Sequence, residues 1–238
     1  MKIIKIVASF LLILGISVLV IWAGMKTKKQ ICTDISIVIH AGKDSKLLIE
    51  SNILNILKRK NIKWEGKTEE EIELPAIKKI LAEESYIKSV DNVYLSGTNL
   101  QIEITLYDIL LKAEPEKFLL DVDGISLPYS PNAGSDVIVA KGFISSKDEL
   151  FYIASLIKKD PFYDALFREL EINNKQEITL FPTVENTKVL FGTIQNAENK
   201  FKILKYMYKD VLPYMSENKY AQLDVRFQNR IIAKKTKS

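Results

Sequence analysis

The sequence predicts an α+β chain with a single N-terminal transmembrane helix, a small βααββ module and a mixed β domain with two covering helices. Three observations predict it. Residues 6–25 carry no charge at all; residues 35–106 follow the periodicities of strand, helix, helix, strand, strand; and from Ile109 onward short strands with turn signals surround two amphipathic helical stretches.

The apolar run is bracketed by Lys2 and Lys5 before it and by Lys26, Lys28 and Lys29 after it. At about 1.5 Å per residue, about 20 helical residues span the roughly 30 Å hydrocarbon core. A signal peptide is the competing reading, but its apolar region is usually about 7 to 15 residues long and ends in small residues. Here the run exits through Ile21-Trp22, bulky at the cleavage position and aromatic where an interfacial belt would lie. The expectation is a retained anchor over residues 6–25, residues 1–5 as a short cytoplasmic end, and the remainder outside the cytoplasmic membrane.

Charge argues against a nucleic-acid partner. The net charge is +4, but setting aside the five lysines that flank the apolar run leaves the rest one positive charge short of its 30 Asp+Glu. Interspersed signs read as an ordinary solvated surface. Cys32 is the only cysteine and His40 the only histidine, so neither a disulfide, nor a His/Cys zinc site, nor a nucleophile–histidine relay can be assembled. The nine glycines lie scattered, with no phosphate-cradling loop. No cofactor and no metal are expected.

In the first module, Ile35, Ile37 and Ile39 alternate with Ser36 and Val38 as a short strand. Over residues 46–60, Ile49, Ile53, Ile56 and Leu57 recur at helical spacing; over residues 75–84, Pro75 opens a helix carrying Ile77, Ile80 and Leu81. A hairpin follows, turning at Ser96-Gly97-Thr98-Asn99, with Leu100, Ile102, Ile104 and Leu106 on one face and Gln101, Glu103 and Thr105 on the other.

In the second module, strands are predicted over residues 109–113, 118–122 and 137–140. Asp123-Gly124 makes a hairpin turn, since an EF-hand loop would need further oxygen ligands and a closing Glu. Ser146 and Glu149 form a capping box ahead of the Leu150, Ile153, Ala154, Ile157 stripe, and Asp160-Pro161 stops that helix. A hairpin over residues 168–181 turns at Asn173-Asn174, where positive φ is tolerated. Then come a strand over residues 188–191, a helix over residues 196–212 with Phe201, Leu204, Met207, Tyr208 and Val211 inward, and a last strand. That strand, with Leu223, Val225 and Phe227 alternating with Asp224, Arg226 and Gln228, is predicted to run toward Ala233.

An enzyme reading can be drawn from Ser155-Leu156-Ile157-Lys158, Ser216-Glu217-Asn218 and Lys235-Thr236-Lys237, which sit in the order of the penicillin-binding motifs. The third element has Lys where Gly should be, and Ser155 lies opposite the apolar stripe of its helix. The binding reading rests instead on the last strand: at a sheet edge it would offer unpaired N–H and C=O groups to an extended segment of a partner. Leu223, Asp224, Val225, Arg226 and Phe227 are the candidate partner-binding residues, with the plainer reading that Leu223, Val225 and Phe227 simply face the core.

Several stretches carry a resemblance: Tyr86-Ile87-Lys88-Ser89-Val90 with the Gly97 hairpin, Leu120-Asp121-Val122-Asp123-Gly124 followed by Leu127-Pro128, Asp160-Pro161-Phe162, and Leu223-Asp224-Val225-Arg226-Phe227. In this order the chain resembles the bacterial cell-division family FtsQ, also called DivIB. The resemblance implies a POTRA-like domain over residues 31–108 and an FtsQ-type β domain over residues 109–238. It implies a non-enzymatic, single-pass scaffold of the division septum in the bacterial cytoplasmic membrane, recruiting FtsB/FtsL-like coiled-coil proteins by strand addition. The septal peptidoglycan synthesis machinery is a more distant partner. Arg226 and Phe227 match the Arg-aromatic pair of the family's edge strand, whereas residues 228–234 depart from its small, Gly-containing pattern. The alternatives are a POTRA-bearing factor of outer-membrane protein assembly or secretion and, more remotely, a peptidoglycan enzyme.

Overall fold

A computed structural model describes residues 16–17, 30–41, 47–114, 116–131, 133, 137–183, 187–214, 220–227 and 230–235. The anchor expected over residues 6–25 lies outside the described residues apart from Ile16 and Ser17. Among the described residues, no helix is long and apolar enough to cross a membrane.

The first module has the predicted order: β1 (Asp34–His40), α1 (Glu50–Arg59), α2 (Leu74–Ala82), β2 (Ile87–Ser96) and β3 (Asn99–Leu106). The sheet order is β1-β3-β2, with β1 parallel to β3 and β2 antiparallel to it. Period-2 patterning accounts for the two faces. Leu100, Ile102, Ile104 and Leu106 are buried against Ile53, Ile56, Leu57, Ile77 and Leu81 of the helices. The opposite face carries cross-strand polar pairs, including Asn99 to Ser36 at 2.8 Å and Thr105 to Asp91 at 2.6 Å. Ile49, placed on the inner stripe by sequence, is instead the exposed residue preceding α1.

The second module contains β4 (Ile109–Glu114), β5 (Phe118–Asp121), β6 (Ser126–Pro128), β7 (Ile138–Gly142), α3 (Lys147–Lys159), α4 (Pro161–Leu166), β8 (Phe167–Ile172), β9 (Ile178–Pro182), β10 (Lys188–Gly192), α5 (Ala197–Tyr206), β11 (Tyr220–Asp224) and β12 (Ile232–Lys235). One nine-stranded sheet runs β12-β11-β10-β9-β8-β7-β4-β5-β6. Parallel pairs β7/β8 and β10/β11 need crossovers, and α3 with α4 and then α5 supply them. Ser146 accepts from the Glu149 N–H at 3.3 Å, and Leu150, Ile153, Ala154 and Ile157 are all buried, as the stripe predicted. Asp160 does more than stop α3: its carboxylate accepts the Phe162 N–H at 3.0 Å and starts α4, with Pro161 in the first turn.

Strand alternation also joins the modules. Phe118 and Leu120 face the core under the helices, while Leu119 between them and Leu127 of β6 pack into the core of the first module. The Lys88–Asp123 ion pair, at 2.6 Å, crosses the same junction.

Candidate partner-binding edge

The predicted last strand is two strands. β11 ends at Asp224, and the chain turns back so that β12 lies antiparallel to it, with Leu223 opposite Ala233 and Asp224 opposite Ile232. On its other flank β11 is parallel to β10, with Val189 opposite Leu223. Leu223 and Asp224 are therefore hydrogen-bonded on both sides of their strand, and the expectation that residues 223–227 form an open edge is corrected. The end of the sheet is β12, every residue of which is exposed; among the described residues it pairs with β11 alone.

The reason for the break is local. Asp224 is 6 % exposed, and its Oδ1 accepts the N–H of Arg226 at 3.1 Å, a side-chain-to-backbone turn that bends the chain out of the ladder. Arg226 closes on the same carboxylate with two further bonds, Nε to Oδ1 at 2.9 Å and Nη2 to Oδ2 at 2.7 Å, while Nη1 lies 3.5 Å from Glu177 of the β8–β9 turn. Burial pushes the Asp224 carboxyl up, but the side-chain and backbone bonds from Arg226 outweigh it and hold the group below the usual carboxylate range. The Val225 N–H still reaches Leu190 O at 3.0 Å, and Leu223 and Val225 are buried in the core.

Gly192 makes room for this clasp. It ends β10 at φ +74°, and a Cβ there would meet Arg226 Cγ at 2.8 Å, so the arginine stem lies directly on the glycine.

Of the five sequence candidates, Leu223 and Val225 are core, Asp224 and Arg226 hold each other, and Phe227 is open. The residue is 40 % exposed, with the Arg230 guanidinium 5.4 Å from its ring centroid. Beside it, a small cavity of about 140 Å³ separates residues 225–227 from Asn196, Asn199 and Ile203 along α5. Ile232, 49 % exposed on β12, adds an apolar side chain that sequence reasoning did not select. Its exposure on a short terminal strand has no periodic signature. Lys234 and Lys235 share the strand, a placement that discourages uncontrolled edge-to-edge pairing.

Residues 109–234, more than half the chain, match the family described as FtsQ/DivIB, C-terminal related. The chain belongs to that family. Residues 30–105 match a POTRA-like domain, in agreement with the βααββ order and the β1-β3-β2 sheet. No curated protein matches the sequence. FtsQ/DivIB-related and POTRA-like domains together make this a division-associated POTRA-domain protein, from families that are generally non-enzymatic scaffolds.

Of the residues of the enzyme reading, Ser155 and Lys158 share α3 of this FtsQ/DivIB-related chain, Ser155 half-buried and Lys158 engaged by Asp164 at 3.4 Å, while Lys235 is on β12; residues 216–218 and 236–237 lie outside the described residues. Asp121, considered for calcium, is fully buried and accepts the N–H groups of Asp123 and Ile125 at 3.0 and 2.6 Å, the hydrogen bonds of a turn.

Proposed function

We propose that this chain is a single-pass adaptor of the bacterial division septum, anchored in the cytoplasmic membrane through residues 6–25, whose extracytoplasmic β domain recruits FtsB/FtsL-like coiled-coil proteins. The observation that carries the recruitment step is β12. It ends a nine-stranded sheet with one flank paired and exposed side chains throughout, next to the open ring of Phe227. A partner segment that adds beyond β12 gains main-chain hydrogen bonds along the strand and side-chain contact with Ile232 and Phe227.

In this reading Arg226 is a positioning residue. Its guanidinium is committed to Asp224 and Glu177, so it sets the bend that presents Phe227 and the return strand. Phe227→Glu and Ile232→Glu should each weaken pull-down of the coiled-coil partner at least about tenfold, the scale of removing an anchoring side chain from the middle of an interface, without moving the thermal midpoint. Undiminished capture by both variants would contradict the proposal.

The POTRA-like match supports a second reading, a factor of outer-membrane protein assembly or secretion. A fluorescent fusion separates the two: the division reading expects a band at midcell, the other an even envelope signal.

A further inference from the structure

We propose that the pole of the first module through which the chain enters it rests on anionic phospholipid headgroups of the bilayer, gripped by Lys58, Arg59, Lys60 and Lys63. The inference rests on the anchored reading above and adds a second membrane contact to it.

The register fixes which pole this is. β1 runs parallel to β3 with Asp34 opposite Asn99, so the start of β1 and the β2–β3 turn lie at one end of the sheet; Thr33 donates to Thr98 O at 2.8 Å there. The loop after α1 is bound to the same end. Cys32 N–H donates to Lys67 O at 2.8 Å, Gly66 N–H donates to Cys32 O at 2.9 Å, and Ile31 bridges to Thr68. From that pole β3 runs toward the second module, where Leu106 shares a core with Leu119 and Leu127.

Tether length fixes where the pole sits. Only residues 26–30 separate the apolar run from Ile31, and at about 3.3–3.6 Å per residue their full reach is about 20 Å. That reach is an upper limit, and a slack tether lets the pole settle within the about 8–10 Å over which an anionic surface potential decays, where facing cations are attracted.

Cations do concentrate there. Between Glu50 and Glu65 the sequence has no acidic residue, and Lys58, Arg59, Lys60 and Lys63 are all exposed. α1 ends in this run, with its C-terminus directed at the entry pole. Asn61 at φ 57° reverses the chain, and the Ile62 N–H returns to Leu57 O at 3.0 Å, so the cations sit on a fixed turn. Trp64, 6 % exposed, pins the loop and floors an open groove of about 310 Å³ between Lys58 and Lys63. Beyond the run, Glu65 and the Glu69-Glu70-Glu71 turn carry the opposing charges nearest the cations, and Glu71 also accepts the Thr68 N–H at 2.8 Å.

The test uses the full chain in nanodiscs of pure phosphatidylcholine or with about one-third phosphatidylglycerol, reading amide hydrogen exchange over residues 57–64. We expect exchange there to slow about threefold or more with the anionic lipid, and the protection to vanish in about 0.5 M salt. Lys60→Glu with Lys63→Glu should also remove it, while Lys202→Glu with Lys209→Glu on the far helical layer should not. Equal exchange in both lipids, or equal loss from both pairs of substitutions, overturns the inference while leaving the anchor standing. Release of the chain from membranes by alkaline carbonate would instead overturn the anchored reading, and this contact with it.

Discussion

Arg226 shows how one side chain can shape a surface without being its contact. Its three bonds to Asp224 and the approach to Glu177 tie the end of β11 to the β8–β9 turn, and the stem fits only because Gly192 lacks a Cβ. Because the folded-state pKa of Asp224 is lowered, the clasp contributes fully above the unfolded value of about 3.9 and is lost as pH falls through the folded one. Asp224→Asn should therefore cost about 1–2 kcal/mol at neutral pH, a figure held low by the partial exposure of Arg226. The gap between variant and wild type should begin to narrow below about pH 4 in urea titrations and keep shrinking as the pH falls further. A gap that stays constant through the whole acid range would mean that the carboxylate charge is not what holds the turn.

At the scale of elements, glycines separate backbone demand from space. Gly142 ends β7 at φ +90°, and a Cβ there would lie 2.1 Å from the carbonyl oxygen of Ile172 on β8, whereas Gly97 at φ +65° has nothing within 4 Å. Gly142→Ala should lose about 3 kcal/mol or more and Gly97→Ala about 1 kcal/mol, compared by denaturant midpoints. Elements with strong periodicity were legible in the sequence: α1, α3 and β3 follow from their stripes because burial of one face decides them. Others were settled by side-chain-to-backbone bonds that periodicity does not report. Asp160-Pro161 reads as a helix stop, yet the Asp160 carboxylate also caps α4. Asn173-Asn174 was the expected seat of positive φ, but the Asn173 side chain accepts from Lys175 and Glu177 and the left-handed residue is Gln176. The helix expected over residues 196–212 is α-helical only to Tyr206 and continues as a wider π turn, Met207–Val211. The alternation of Leu223, Val225 and Phe227 looked like one strand because the Asp224–Arg226 turn preserves inward burial for two of the three while ending the ladder. β6, three residues long, is too short for any pattern to mark it.

At the scale of the molecule, β5 is shared property: Phe118 and Leu120 belong to one core and Leu119 to the other. The two modules keep separate sheets and meet through the side chains of β5, and the exposed Lys88–Asp123 pair adds little to that union. Leu119→Ala removes a fully buried side chain and should cost about 2–5 kcal/mol, lowering the midpoints reported by Trp64 in the first module and by far-UV dichroism together. Separate transitions would show two independently folding bodies.

The edge of the large sheet is the centre of the functional account, and hydrogen exchange across it tests that account most directly. With the coiled-coil partner bound, the amides of residues 230–235 should become protected while β6, at the opposite end of the same sheet, exchanges as before. Partner binding that leaves residues 230–235 unprotected would contradict strand addition at β12.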